Sequence, residues 1–282
     1  MRFSQALANI HVPDGVEEDE ALARTTQLAI GAHHDDLEIM AVQGILACFQ
    51  QADQWFTGVV MTDGRGSPRS GPYADYSDEN MMAVRVLEQN KAALVGEYGA
   101  QVYMRFPSSV IKDGQNKDPV SDLIELFNKT SPEIIYTHNL ADKHPTHVGI
   151  AVNIIRALRQ LPPMQHPKHV YGCEVWRDLG WMLDKDKIVF DTSAKPNLQS
   201  ALISVFDSQI SGGKRYDLAA AGRRIANATF FNSHQVDMVE GLNFAMDLLP
   251  LVKDPSMDMF TYVAQYINRF SDDVRALIEG VQ

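Results

Sequence analysis

Gly31-Ala32-His33-His34-Asp35-Asp36-Leu37-Glu38 crowds two imidazoles and three carboxylates into one short stretch. The apolar run Gln27-Leu28-Ala29-Ile30 precedes it, and the amphipathic residues 39–51 follow. This is the pattern of a buried strand that runs out into a polar loop and then a helix. Open α/β sheets bind ligands at such C-terminal strand ends, where the loop is held firmly and faces a crevice. A group of His and Asp there does little for stability and suits metal binding or acid-base chemistry.

Outward from this stretch, strands and helical segments alternate. Strands are expected over residues 25–31, 55–61, 101–106 and 133–137, with short ones at 169–176 and 187–191. Helices are expected from 39 to about 51, then over 77–96, capped by Ser77-Asp78-Glu79-Asn80, over 119–129 and over 148–161. Residues 67–77, rich in Gly, Pro, Ser and Tyr, read as an irregular loop. From about Pro196 the pattern is helical, over 198–210, 215–228, 241–249 and 260–278. The expected fold is therefore α/β, a Rossmann-like and mostly parallel sheet flanked by helices, with a helical C-terminal region. Residues 1–24 form an acidic N-terminal extension, and 25–282 a single domain with its core at about 25–190. The C-terminal helices are expected to complete the pocket or an oligomer interface.

The strand at 133–137 delivers a second polar cluster, His138-Asn139-Leu140-Ala141-Asp142-Lys143-His144-Pro145-Thr146-His147. Right-handed crossovers bring both clusters to the same edge of the sheet. Five of the nine histidines fall in these two clusters, which points to one site rather than to scattered structural histidines. Two imidazoles and a carboxylate with one open position are the donor set of a catalytic zinc site, where bound water ionises near neutrality. The plainer reading is a capped helix with a surface His pair. A closed structural zinc site would favour thiolates, and neither Cys48 nor Cys173 is near in sequence.

Composition sets further bounds. The chain has 282 residues, enough to bury a sizeable core, with 45% hydrophobic and 22% charged residues. A net charge of −11 argues against nucleic acid or an anionic membrane as partner. The two cysteines read as buried, reduced thiols. The first residues lack an extended apolar run, and none in the chain approaches the length of a membrane span. The expectation is a cytoplasmic protein.

Ala32-His33-His34-Asp35-Asp36-Leu37-Glu38 resembles the AHPDDxE signature of the LmbE/PIG-L zinc-dependent de-N-acetylases, and His144-Pro145-Thr146-His147 resembles that family's HPDH motif. Asp142 matches an Asp often found two residues before it. Weaker similarities are Thr62-Asp63-Gly64-Arg65-Gly66, Arg85 with Glu88, residues 187–192 and Ser208-Gln209. The resemblance implies one Zn2+ per chain on His33, Asp36 and His147, with Asp35 as the general base that activates water. It implies His144 as the imidazole that stabilises the oxyanion, and Arg85, Arg65 and Asp63 as substrate contacts. The implied reaction is hydrolysis of a linear amide, removing acetyl from an N-acetylated amino sugar or its glycoside, such as an N-acetylglucosamine derivative. An amidase acting on a sugar-linked thiol conjugate is the nearest rival, and a non-catalytic metal- or sugar-binding module another.

The departures from the motif carry weight. His34 replaces the usual proline; His33 is assigned to the metal, with His34 behind it or exposed. Thr146 replaces an Asp, so His144 is expected to be harder to protonate, since a hydroxyl brings no charge. Arg65 replaces a Glu and adds positive charge near the pocket. All three expected ligand positions are intact.

Overall fold

A computed structural model describes residues 3–282. Its strands are β1 (Asn9–His11), β2 (Gln27–Gly31), β3 (Phe56–Thr62), β4 (Ala100–Phe106), β5 (Ile134–His138), β6 (His169–Cys173), β7 (Ile188–Asp191) and β8 (Leu242–Asp247). They form one eight-stranded sheet in the order β1-β4-β3-β2-β5-β6-β8-β7. From β4 through β3, β2 and β5 to β6 every pairing is parallel, whereas β1, β8 and β7 join antiparallel. The expected α/β architecture is present. Because the chain moves outward from β2 to β3 and β4, then returns to β5 on the other side, the strand order reverses between β2 and β5. That is the point where an open α/β sheet leaves a crevice, and both polar clusters lie there.

Alternation along the strands sorts the core into two faces. Leu28 and Ile30 of β2 join Val59 and Met61 of β3 on one face, with Leu123, Leu126, Ile150 and Ile154 from the helices Asp118–Thr130 and Pro145–Leu158. Ala29, Val60 and Phe56 face the other way, toward Leu37, Ile45, Ala93 and Leu202. Burying each such Leu or Ile is worth about 2 kcal/mol. Ahead of β2, Asn9–His11 pairs with β4, and Ala21 and Leu22 of the helix Glu18–Ala23 are fully buried.

Besides the strand and helix within residues 1–24, and the expected helix 198–210 that is split into Pro196–Ser204 and Asp207–Ile210, three segments differ from expectation. Residues 241–249 are not a helix: Leu242–Asp247 is β8, inserted antiparallel between β6 and β7. Five of its six residues are buried, so its apolar positions show no alternation to distinguish it from a buried helix. The helix after the first cluster is broken at Ala41 into Asp36–Met40 and Val42–Cys48. The helix after the second cluster begins at Pro145, whose fixed φ suits a first turn, so His147 is already helical. Among the described residues no helix is long and apolar enough to cross a membrane.

Candidate active site

The loop after β2 folds back tightly. A Cβ at Gly31 would lie 2.9 Å from Asp36 Cβ, so only glycine fits there. The His33 amide donates to Asp36 Oδ2 at 2.7 Å, and Asp35 sits between them at φ 92°. A left-handed Asp costs about 1 kcal/mol or more, and the neighbouring contacts hold it there. The Asp35 amide donates to Gln89 Oε1 at 3.3 Å, and Arg85 Nη2 lies 3.4 Å from Asp35 Oδ2. The Thr62 amide and hydroxyl both donate to the Ala32 carbonyl, tying the loop to β3.

His33 Nδ1 lies 3.3 Å from Asp36 Oδ2 and 3.3 Å from His147 Nε2, which is itself 3.6 Å from Asp36 Oδ2. Tetrahedral ligands at zinc distances stand about 3.3 Å apart, so this triangle has the dimensions of a metal site. Two overlapping groupings, His33 with His144 and His147, and Asp36 with His138 and His147, also have metal-binding dimensions. His138 fits less well as a ligand, because its Nε2 already accepts the Ala32 amide at 2.9 Å. His147 Nδ1 lies 3.4 Å from Asp142 Oδ2, whose carboxylate also accepts from the His144 and Trp176 amides. Orientation of a ligating imidazole by a carboxylate on its far nitrogen is a regular feature of metal sites.

Electrostatics divide the two neighbouring aspartates. Burial pushes Asp35 well above the usual carboxylate range, and the nearby Arg85 only partly offsets it. Burial would also raise Asp36, but His147 and His138 outweigh it and hold its carboxyl well below that range. His147 is pushed down to about 4 by burial and by His138, so its imidazole is neutral at pH 7, as a ligand requires. His144 is lowered too, by burial first and then by His33. His144 stands edge-on to His33 with centroids 5.1 Å apart, and its buried Nδ1 has no partner among the described residues.

His33, Asp35, Asp36, His144, Arg85, Arg65 and Asp63 all line one cavity of about 720 Å3. His147 lies behind it, fully buried. Arg85 is buried and donates to the His34 carbonyl and to Ser67 Oγ. Arg65 bonds Asp63 at 2.7 Å within the turn and still reaches the cavity. His34 is fully buried rather than exposed, stacked on Tyr103 at 5.7 Å. A Cβ on Gly64, which has φ 82°, would meet its ring at 3.0 Å. Sequence reasoning did not single out His138, Trp176, Tyr216 or Lys214. Trp176 stacks toward His144 at 6.3 Å, and Tyr216 and Lys214 come from the C-terminal region to line the same cavity. Only His138, at the mouth of β5 inside the second cluster, had a signal in sequence.

The family model GlcNAc-PI de-N-acetylase (PIG-L) matches residues 28–158. Among solved structures, a conserved protein from Thermus thermophilus, TT1542, is 17% identical, with TM-score 0.59 over 83% of this chain and 99% of that one. N,N'-diacetylchitobiose deacetylase from Pyrococcus horikoshii is 16% identical, with TM-score 0.58 over 78% and 83%. GalB, the 4-carboxy-2-hydroxymuconate hydratase from Pseudomonas putida, is 16% identical, with TM-score 0.58 over 79% and 96%. No curated protein matches the chain. At these identities the likeness establishes the fold. A deacetylase and a hydratase sharing it show that the reaction must be argued from the site.

Proposed function

We propose, from the match of residues 28–158 to the PIG-L family model and from the site, that the chain is a zinc-dependent hydrolase that removes acetyl from an N-acetylated amino sugar or its glycoside. The observation that carries this reading is the triangle of His33 Nδ1, Asp36 Oδ2 and His147 Nε2, at 3.3 to 3.6 Å, beside the raised carboxyl of Asp35. His33, Asp36 and His147 would hold one Zn2+ per chain. Such an ion supplies Lewis acidity to an amide carbonyl and lowers the pKa of water.

The remaining chemistry belongs to the chain's own side chains. Asp35 takes the proton of water as its oxygen adds to the acetyl carbon; burial, by raising its pKa, makes it the stronger base of the pair. Arg85, 3.4 Å away, fixes the carboxylate and limits that rise. His144 faces the same cavity and hydrogen-bonds the oxygen that gains charge, the kind of interaction that contributes most to acyl transfer. The C–N bond then breaks, and the departing nitrogen takes up the proton that Asp35 had accepted. Acetate and the free amino sugar result.

The test is a panel of N-acetyl amino sugars and glycosides incubated with zinc-loaded protein, read as free amine and as acetate. Release that stops on chelation and returns with zinc is the expected result. Metal-loaded protein that releases neither product from any member would overturn the reading in favour of a binding module.

A further inference from the structure

The last helix, Met259–Val281, is anchored through its first half. Tyr262, Val263 and Tyr266 enter the core, the Tyr262 hydroxyl donates to the Asp247 carbonyl of β8, and Arg269 pairs with Asp186. Every residue from 271 to 282 is exposed. At 1.5 Å per residue this stretch runs for about 18 Å past its anchor. A helical segment so short is marginal in water by itself, and most helices owe their stability to an apolar face packed on a neighbour.

Such a face is present, without a cover. Ile267, Phe270, Val274, Leu277 and Val281 recur at alternating steps of three and four, the apolar a and d positions of a heptad, with Ile278 beside them. All six are exposed, Leu277 by 66% and Val281 by 88%. The β-branched Ile267, Val274 and Val281 hold one position of the repeat, and Phe270 and Leu277 the other. Helices of a two-stranded coil pack knobs into holes through such a seam. The positions that flank it, Ser271, Asp273, Ile278 and Gly280, carry a single charge, so two copies meet little repulsion. Covering the six side chains removes roughly 600 Å2 per chain from water, about 1,200 Å2 for a pair, which reaches the lower bound of a specific, stable interface. Beyond residue 270 the helix carries Asp272, Asp273 and Glu279 against one cation, Arg275, which disfavours an anionic lipid surface as the cover.

The domain itself sets the orientation. At 3.6 residues per turn the seam lies within about 60° of the direction in which Tyr262, Val263 and Tyr266 are buried. The body therefore stands in the way of the seam at its N-terminal end. A second helix running parallel would have to pass through it, whereas one entering tip first, antiparallel, leaves the two domains at opposite ends.

We propose that helix Met259–Val281 pairs with the same helix of a second copy of this chain, antiparallel and about a two-fold axis, with Ile267 against the second copy's Leu277 and Phe270 against its Val274. The same patch serves both copies, so each contact occurs twice and the assembly closes at two chains. The pairing stands apart from the deacetylase reading and needs neither metal nor substrate.

Sedimentation velocity of the full chain, from low to high micromolar concentration, tests the pairing. The expected result is a reversible monomer–dimer equilibrium with a dissociation constant on the order of 10 μM, as befits an interface at the small end of the range. Val274→Asp/Leu277→Asp sets charges in the seam and raises that constant about a hundredfold or more. Asn268→Asp/Ala276→Asp sets the same charges on the opposite face and leaves it within a few-fold. Both pairs of substitutions fall on positions outside the core, and the urea midpoint of the monomer checks that each variant is folded. Cross-linking reads the orientation, with Cys48 and Cys173 buried and out of reach. Ile267→Cys and Leu277→Cys form a disulfide-linked dimer when mixed and oxidised, and neither does so alone. A monomer at every concentration, or a dimer indifferent to Val274→Asp/Leu277→Asp, overturns the pairing. A monomer that binds phosphatidylcholine vesicles through the seam gives the face to lipid and also overturns it. A linked dimer from Leu277→Cys alone overturns the antiparallel arrangement.

Discussion

Asp36 Oδ2 and His147 Nε2 stand 3.6 Å apart although 110 residues of chain separate them, and His33 Nδ1 closes the triangle at 3.3 Å from each. Three ligating atoms this close, with the carboxyl of Asp36 held well below the usual range by His147 and His138 against the effect of burial, have the spacing that one cation can bridge. Removing one of three ligands leaves too few for tight zinc binding. Alanine at His33, Asp36 or His147 is therefore expected to take the bound zinc from about one per chain to well below half, by elemental analysis after dialysis. Full retention in all three variants would remove the site assignment.

Asp35 shares the loop but not the role. Its carboxylate lies beside Arg85 at 3.4 Å, and its raised pKa comes from burial first. Asparagine keeps the shape and the hydrogen bond that the backbone amide donates to Gln89 Oε1, while removing the base. Asp35→Asn is expected to keep its zinc and to lose about a thousandfold in kcat, the middle of the range for general-base removal. Zinc content and steady-state kinetics on one sample separate the two effects. A kcat within a few-fold of the parent would assign proton transfer elsewhere.

The legible part of this site is the part written in contiguous residues. Both His/Asp clusters, their placement after β2 and β5, and the parallel sheet that unites them follow from apolar runs ending in polar loops. Lost from sequence is whatever depends on distant packing. Leu242–Asp247 is buried along most of its length, and a run apolar on both faces carries no period that separates strand from helix. Trp176, Tyr216 and Lys214 reach the cavity only because the segment after β6 and the helix Tyr216–Thr229 fold back over the sheet edge. The acidic run from Glu17 to Glu20 masks the two buried residues, Ala21 and Leu22, that fasten the N-terminal helix to the core.

Glu38 offers a pH test of the scaffold beneath the site. It is fully buried, with Oε1 accepting from Gln89 and Tyr98 at 2.7 Å each, and burial pushes it up from 4.5 to about 7. Between those values the folded protein keeps a proton that the unfolded chain has released. Stability is thus full below about pH 4.5, falls as pH rises toward 7, and levels off above it. The loss attributable to Glu38 is about 3 kcal/mol. Glu38→Gln keeps an acceptor for Gln89 and Tyr98 and should flatten this slope. Urea unfolding at several pH values would show the difference between parent and variant shrinking or growing by that amount across the window. A constant difference would mean that Glu38 titrates normally.

His138 packs against the proposed metal triangle, and the accepted Ala32 amide assigns it to orienting the ligands rather than to the ion. Its ring is fully buried and stacks on His147 with centroids 3.8 Å apart; Nε2 accepts the Ala32 amide at 2.9 Å and lies 3.4 Å from Asp36 Oδ2. His138→Phe keeps the stack and strands the Ala32 amide, which costs about 1–3 kcal/mol for an unsatisfied buried donor. The loop that carries His33 and Asp36 then loses its anchor to β5. Zinc affinity by chelator competition is expected to fall about 10- to 100-fold, the usual effect of removing a group that orients ligands. Cobalt substitution separates this from direct ligation: the visible d–d bands of the cobalt protein should keep their positions in His138→Phe, because the donor set is unchanged. A shift to the spectrum of a site with one nitrogen fewer would make His138 a ligand and displace His33 from the triangle.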